Sequence, residues 1–207
     1  MRLKLFLIVI LFTFSACGTL TYSKLNLNLE RNNKNEKIAI AVLDKRPYVL
    51  NSSKFKSYVA IIRGGYGNPW HSSLSSGLPL ETELTTSLKT NFEKSGYIVE
   101  SIDFSKNFNI DKSQAVNQLK NIGVTKILIF TLNEWRSDTF ADSWFIYDVT
   151  LDVYNSDGKF LASEQISGND EVKGSFFWPY VYKQKVPEYS QGILESLIGR
   201  ESIKKAL

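Results

Sequence analysis

Two short apolar segments most constrain what this sequence can fold into. The first is KIAIAVLD, residues 37–44, and the second is VTKILIFTL, residues 124–132. Both are rich in β-branched residues and apolar at consecutive positions, which indicates strands that are buried on both faces. The two segments therefore predict the centre of a sheet with helices packed against it.

Three other segments have the apolar spacing of amphipathic helices. Residues 79–95 place an apolar residue at every fourth position, which predicts one buried helix face. A second helix is predicted to begin at Asp111, an N-cap that forms a capping box with Gln114, and to end at Gly123. A third begins at Pro187.

The remaining patterns complete a mixed sheet. SYVAII (57–62) and YIVESI (97–102) predict short strands, and residues 144–154 alternate apolar and polar side chains as a half-exposed antiparallel strand does. NSDG (155–158) predicts a hairpin turn after it. Residues 37–207 are therefore expected to form one domain of the α/β (α+β) class, with a single mixed sheet of about six strands and about three packed helices.

The first 16 residues have the order of a secretory signal peptide. Basic residues near the start precede the almost entirely apolar residues 5–14, and the small residues Ser15 and Ala16 follow. The apolar run has about half of the 20 residues that a spanning helix needs. We therefore expect residues 1–16 to be removed. A buried N-terminal helix or strand is the alternative, but the polar residues that follow offer it no apolar partner.

The sequence FSAC, residues 14–17, resembles a bacterial lipobox. The resemblance implies that Cys17 carries a diacylglyceryl group and becomes the first mature residue, so that the chain is anchored to a membrane by its lipid. Phe14 departs from the leucine usual at that position, and Gly18 favours outer-membrane sorting by analogy with enteric bacteria. An ordinary cleaved signal peptide, with Cys17 as a thiol, is the alternative. Cys17 is the only cysteine, so an internal disulfide is excluded.

Charge and polarity suggest how the anchor is connected. Residues 17–36 are mostly polar and are expected to form a tether, although alternating leucines at 25, 27 and 29 would also suit an edge strand. The formal net charge is +4, and removal of residues 1–16 lowers it. Such a balance gives no broad positive field, so we expect no nucleic acid partner.

The loop RGGYGNPWHSS, residues 63–73, offers candidate contact residues, which are Arg63, Tyr66, Trp70 and His71. It lacks the lysine and hydroxyl of a P-loop, so we interpret it as a tight turn with its aromatic rings packed over the sheet edge. His71 is the only histidine, which argues against a zinc site. A catalytic imidazole would need a nucleophile or an orienting carboxylate, and no neighbouring residue in the sequence indicates one. We expect no metal, no cofactor and no enzymatic activity, and we expect Asp148 and Asp152 to be exposed.

The segment SFFWPYVY, residues 175–182, contains five aromatic residues, which are Phe176, Phe177, Trp178, Tyr180 and Tyr182. It is interpreted either as a segment that covers the core or as an exposed patch. An exposed patch would bind a partner protein, a glycan or the membrane interface. Trp135, Trp144 and Tyr147 would extend it.

At VLDKRP, RGGYGNP and GLPL the chain resembles the YajG-like bacterial lipoproteins and, more distantly, the N-terminal domain of the TolB translocation protein. The resemblance implies an α/β envelope domain that acts by binding, and it supplies no catalytic residues. We therefore expect a non-enzymatic, lipid-anchored envelope protein that binds another envelope protein. A module that binds peptidoglycan or lipopolysaccharide through the aromatic segment is the alternative, and an envelope hydrolase using His71 or scattered carboxylates is less favoured. The sequence does not indicate the oligomeric state.

Overall fold

The computed structural model describes residues 20–32, 35–107, 109–173 and 184–207. The strands in these ranges are β1 (Lys37–Asp44), β2 (Tyr58–Arg63), β3 (Pro69–Ser73), β4 (Ile98–Ser101), β5 (Lys126–Thr139), β6 (Ser143–Asn155) and β7 (Phe160–Glu171). The helices are α1 (Pro47–Leu50), α2 (Leu80–Lys94), α3 (Lys112–Leu119), α4 (Val186–Ile198) and α5 (Glu201–Ala206). All seven strands join one mixed sheet, which confirms the predicted fold class.

The sheet branches at β5, which is 14 residues long. One edge of β5 pairs with β6 in antiparallel orientation along its whole length. The other edge is shared, because β1 pairs in parallel with residues 126–132 and β2 pairs in parallel with residues 137–139. A bulge between Leu132 and Glu134 separates the two halves. β4 extends the sheet beyond β1, β3 lies antiparallel to β2, and β7 lies antiparallel to β6.

Helices cover the two faces of the sheet unequally. The inner face carries the main core, where side chains of β1, β5 and β6 pack against α2, α4 and α5. The opposite face, which we call the outer face, is covered by α3 only beside residues 126–132 of β5, the lower half of that strand. There α3 packs Ala115 and Leu119 against Ile127 and Ile129. The predicted Asp111–Gln114 capping box begins α3. Below the bulge, β1 and β5 are therefore buried on both faces, as their uninterrupted apolar sequences predicted.

Arg46 fills the space where β1 and β2 diverge along β5. The side chain is 0% exposed. Its Nε and Nη2 donate to the two carboxylate oxygens of Asp44 at 2.8 and 2.7 Å, and its Nη1 donates to the carbonyls of Tyr58 and Trp135 at 2.6 and 3.2 Å. Because Asp44 belongs to β1, Tyr58 to β2 and Trp135 to β5, the guanidinium links all three strands while its own buried donors are satisfied.

Residues 20–32 belong to the domain, which corrects the expectation of a tether through residue 36. Leu20 and Tyr22 are 0% exposed, and Leu25 and Leu27 are 5% and 7% exposed. The alternative of an edge strand at residues 25–29 is also wrong, because these residues have no strand pairing and their backbone is bonded to α2. The side-chain amide of Asn91, on α2, holds the backbone of this segment through two hydrogen bonds. Its oxygen accepts from Leu27 N at 2.7 Å, and its nitrogen donates to Leu25 O at 3.0 Å.

Glu83 of α2 fixes the beginning of this segment. Its Oε1 accepts hydrogen bonds from Thr21 Oγ1, Tyr22 N and Ser23 N, and its Oε2 accepts one from Ser76 Oγ. Glu83 is itself 4% exposed. A buried carboxylate is stabilised only when its oxygens are bonded, and here four donors from the chain provide those bonds. Glu83 therefore ties the backbone of residues 21–23 to α2.

Gly96, at the end of α2, is predicted to be intolerant of a side chain. Its φ is +93°, and an added Cβ would lie 2.3 Å from Asn32 O. We expect Gly96→Ala to lower the free energy of unfolding by about 1–3 kcal/mol, because it adds both backbone strain and a clash. Chemical denaturation measures the change. Gly192→Ala is the control, since Gly192 lies within α4 and its Cβ would meet nothing within 4 Å; it should stabilise slightly. Equal effects of the two changes would contradict the prediction.

Candidate functional site

The upper half of the outer face forms the candidate site. Above the bulge, Trp135, Ser137 and Phe145 point into the core, so the residues that alternate with them point outward. These outward side chains, with their neighbours on β2, are not covered by α3. We call this surface the open face, and its side chains are Ile61, Arg63, Glu134, Arg136, Asp138, Trp144 and Ile146.

A row of alternating charges crosses the open face. Arg63 forms a bidentate pair with Asp138, with Nε–Oδ1 and Nη2–Oδ2 distances of 2.8 and 2.7 Å. Arg136 lies between Asp138 and Glu134, with Nη1–Oδ2 and Nε–Oε2 distances of 3.6 and 3.5 Å. Tyr48 of α1 ends the row by donating to Glu134. The row contains two arginines and two carboxylates, so its formal charges cancel.

The pKa values of these groups follow from their contacts. Hydrogen bonds from Arg63 hold the pKa of Asp138 below its usual value, against the opposing effect of partial burial. Burial raises the pKa of Tyr48, and its hydrogen bond to Glu134 raises it further. Asp138 is therefore ionised and Tyr48 is protonated at neutral pH, which keeps the row of charges intact over the physiological range.

Beside the row of charges, Trp144 borders a shallow depression with a volume of about 250 Å³. Its lining is completed by Asp138, Ile146 and Asn169. Trp144 is 41% exposed, and Asn169 is exposed on β7 beside Ile146. The depression therefore combines an accessible aromatic ring with a carboxylate and an amide.

Residues 63–73 were predicted to be a loop, but residues 69–73 form strand β3, so the segment is a β-hairpin with β2. Proline is tolerated at the first residue of such an edge strand. Arg63 joins the row of charges, as described above. Tyr66 is 102% exposed at the turn, so the expectation that it packs over the sheet edge is wrong. Trp70 and His71 are consecutive strand residues and point to opposite faces.

His71 lies next to the open face, against the Tyr58 ring at a centroid distance of 5.7 Å. Its Nε2 is 2.7 Å from Lys54 Nζ. An ammonium group has no acceptor, so Lys54 donates and His71 accepts. Partial burial and the positive charge of Lys54 both lower the pKa of His71. The imidazole is therefore neutral and paired at physiological pH.

Three further side chains differ from their predicted exposure. Trp135 is 0% exposed and Tyr147 is 8% exposed, so of the three aromatic residues expected to extend a surface patch, only Trp144 is exposed. Asp152 is 4% exposed and pairs with Lys112 of α3 at 2.5 Å. It was expected to be exposed because the strand alternates, but α3 covers that part of the outer face.

Two of the predicted sites lie outside the described residues. They are the lipidation site Cys17, together with the signal peptide before it, and the aromatic segment with Phe176, Phe177, Trp178, Tyr180 and Tyr182. Within the ranges that the structure describes, no group of three or more His, Cys, Asp or Glu is placed to hold a metal ion. No helix there has the length and apolar composition of a membrane span.

Glu81, in the first turn of α2, is a buried carboxylate that the sequence analysis did not single out. It is 3% exposed, and its Oε2 accepts from Asp44 N at 3.1 Å. Burial raises its pKa from 4.5 to about 7, although the bond from Asp44 N opposes the shift. The folded state therefore binds a proton more tightly than the unfolded chain, and this contribution to stability is lost as pH rises from about 4.5 to 7.

We accordingly expect Glu81→Gln to reduce the pH dependence of stability. Relative to this variant, the natural protein should lose on the order of 2 kcal/mol of unfolding free energy between pH 5 and pH 8. Urea denaturation across this range measures the difference. Glu201→Gln changes an exposed carboxylate of α5 and should follow the natural protein. Parallel curves for all three proteins would show that Glu81 titrates normally.

No family model and no curated protein matches this chain, so the resemblance to YajG-like lipoproteins stays a prediction. Several solved structures are similar over most of it. A DUF330-family protein from Xanthomonas campestris has 11% identity and a TM-score of 0.47, covering 84% of this chain and 92% of its own. The PelC dodecamer from Paraburkholderia phytofirmans has 11% identity and a TM-score of 0.42, covering 82% and 88%. Lipoprotein GNA1162 from Neisseria meningitidis has 13% identity and a TM-score of 0.33, covering 80% and 99%. None of these TM-scores reaches 0.5, so no functional property is transferred.

Proposed function

We propose that this chain is a non-enzymatic lipoprotein of the bacterial envelope that binds another envelope protein through the open face. The proposed location is supported by the lipobox-like sequence, which predicts an acyl anchor on Cys17, and by Gly18, which favours the outer membrane with the domain in the periplasm. Its activity follows from one observation. The open face combines an exposed tryptophan and partly buried isoleucines with arginines that are already paired.

This combination suits a protein partner. Tryptophan and arginine are enriched among the residues that contribute most to binding between proteins. Burying an unpaired charge is costly, whereas Arg63 and Asp138 already satisfy each other and would keep this bond on burial. A partner could therefore cover Trp144 and Ile146 without leaving an uncompensated charge.

Site-specific photo-crosslinking in living cells tests this proposal. A photoreactive amino acid at Asn169, which is exposed beside Ile146, is expected to give one discrete crosslinked product containing an envelope protein. Thr90, exposed on α2 away from the open face, is the matched control position. Trp144→Ala should lower the yield from position 169 several-fold, whereas Phe160→Ala, at the opposite end of the sheet, should not. Equal crosslinking from positions 169 and 90, or none from either, would contradict the proposal.

A glycan is the second candidate partner, favoured by the depression at Trp144. Sugar rings stack on exposed tryptophan rings, and Asp138 and Asn169 border the same depression. Cosedimentation with purified peptidoglycan sacculi separates the two candidates. Glycan binding requires that Trp144→Ala abolish cosedimentation while Phe160→Ala leaves it unchanged. Loss caused instead by Trp178→Ala would place the glycan site in the aromatic segment 175–182.

A further inference from the structure

We propose that the β2–β3 hairpin tip, residues 64–68 together with Trp70, sits in the headgroup layer of the membrane that holds the anchor. This inference rests on the acyl anchor at Cys17 in the proposed function, and it identifies the part of the domain that faces the lipid. Three observations carry it. They are the short reach between the anchor and the packed chain, the direction of the chain at Leu20, and the chemistry of the tip.

The reach from the anchor to the domain is short. Leu20 is 0% exposed, and its carbonyl accepts from Ser75 N at 2.8 Å. Only Gly18 and Thr19 separate Cys17 from this fixed residue, and three extended residues span at most about 11 Å. The anchor therefore cannot hold the domain at a distance from the membrane. The surface around Leu20 must lie at or near the headgroups.

The direction of the chain at Leu20 identifies which end of the domain is involved. Leu20 forms a parallel bridge with Leu74, just beyond the end of β3. Since β3 runs away from the hairpin tip, the chain at Leu20 also runs away from the tip, so its preceding end faces the tip side. Leu74 lies four residues beyond Trp70, or about 13 Å along an extended strand. This distance is close to the reach of the anchor.

The tip has the side chains that a headgroup layer favours. Tyr66 is 102% exposed and Trp70 is 58% exposed. The Trp70 ring lies across the turn, where a Cβ on Gly64 would come within 2.8 Å of it. Residues 64–73 contain no lysine, arginine, aspartate or glutamate. Tyrosine and tryptophan concentrate at the membrane–water interface, and a layer about 5–8 Å deep would accommodate both rings.

The tip also adds a second membrane contact to the acyl chains. The two chains of the diacylglyceryl group already attach the protein stably. The contribution of the second contact is to fix the orientation of the domain, which an anchor at one point does not. Arg63, at the end of β2, pairs with Pro69 at the base of the hairpin, so the open face would begin directly beside the headgroups. A partner on that face would then lie near the membrane.

Spin labelling of the lipidated full-length protein tests the inference. Cys17 is the only cysteine and is occupied by lipid, so one introduced cysteine can be labelled selectively. Gly65→Cys places the label at the tip, where an added Cβ meets nothing within 4 Å. Asp157→Cys is the control in the β6–β7 turn, at the other end of the sheet and about 40 Å away along β5. Both proteins are reconstituted in vesicles of phosphatidylethanolamine and phosphatidylglycerol.

The expected result is a ratio of oxygen to nickel-chelate collisions that is several-fold higher at position 65 than at position 157. The combined changes Tyr66→Ser and Trp70→Ser should bring the ratio at 65 down to that at 157, whereas Phe160→Ser should leave it unchanged. Equal ratios at positions 65 and 157, in protein that floats with vesicles, would show that the acyl anchor holds but that the hairpin tip does not contact the headgroups. A label at position 65 that is shielded from both oxygen and the nickel chelate would show that a second copy of the chain covers the tip, and would also overturn the proposal. Failure to float with vesicles would overturn the anchor and the inference together.

Discussion

Replacing Arg46 with methionine is expected to lower the free energy of unfolding by about 3–5 kcal/mol. Methionine fills most of the volume but leaves the Asp44 carboxylate, which is 4% exposed, without its cation. It also removes the donors to Tyr58 O and Trp135 O. An unpaired buried charge and unsatisfied buried carbonyls are among the most destabilising changes that a core can undergo.

Urea denaturation at neutral pH measures this effect, and Arg200→Met is the matched control. Arg200 is exposed at the start of α5, so its replacement should change stability by about 0.5 kcal/mol or less. If Arg46→Met had as small an effect as the control, the branched sheet would not depend on the buried guanidinium. The explanation of how β1 and β2 share one edge of β5 would then be wrong.

Replacing Glu83 with alanine is expected to lower the free energy of unfolding by about 3 kcal/mol. Four donors lose their acceptor, and Tyr22 N is buried where water cannot substitute for the carboxylate. The effect should be local as well as global, because these bonds fix the path of residues 21–23. Limited proteolysis should therefore cut this segment before the rest of the domain unfolds.

Glu93→Ala is the control for this prediction. Glu93 lies on the exposed side of α2, where it pairs with Lys89 at 3.8 Å, and such a surface pair contributes about 0.5 kcal/mol or less. Proteolysis of the control should match the natural protein. Protection of residues 20–25 in Glu83→Ala would show that apolar packing of Leu20 and Tyr22 holds the segment without the carboxylate.

The parts of the fold that the sequence predicted are those set by local patterns. The uninterrupted apolar residues of β1 and the lower half of β5 predicted strands with both faces buried, and the spacing of α2 and the capping box of α3 predicted those helices. The role of Arg46 could not be predicted in this way. An arginine after a strand suggests a solvent-exposed loop, and its burial depends on β2 pairing with the distant upper half of β5.

The candidate site was predicted only in part, for the same reason. Arg63 and His71 were identified from the glycine-rich stretch, but the open face also needs Arg136 and Asp138, which the sequence analysis passed over. The alternation of NEWRSDT, residues 133–139, was the available signal. This alternation shows that the strand continues beyond its apolar residues, with polar side chains on the face that Trp135 does not occupy. Recognising their partner required the position of β2, which local patterns do not give.

Mass spectrometry of the N-terminal peptide, from protein made in a bacterium, tests the acyl anchor directly. We expect the mature chain to begin at Cys17 and its sulfur to carry a diacylglyceryl group. Detection of an unmodified Cys17 thiol, or of a chain that retains residues 1–16, would contradict both the proposed envelope function and the seating of the hairpin at the membrane.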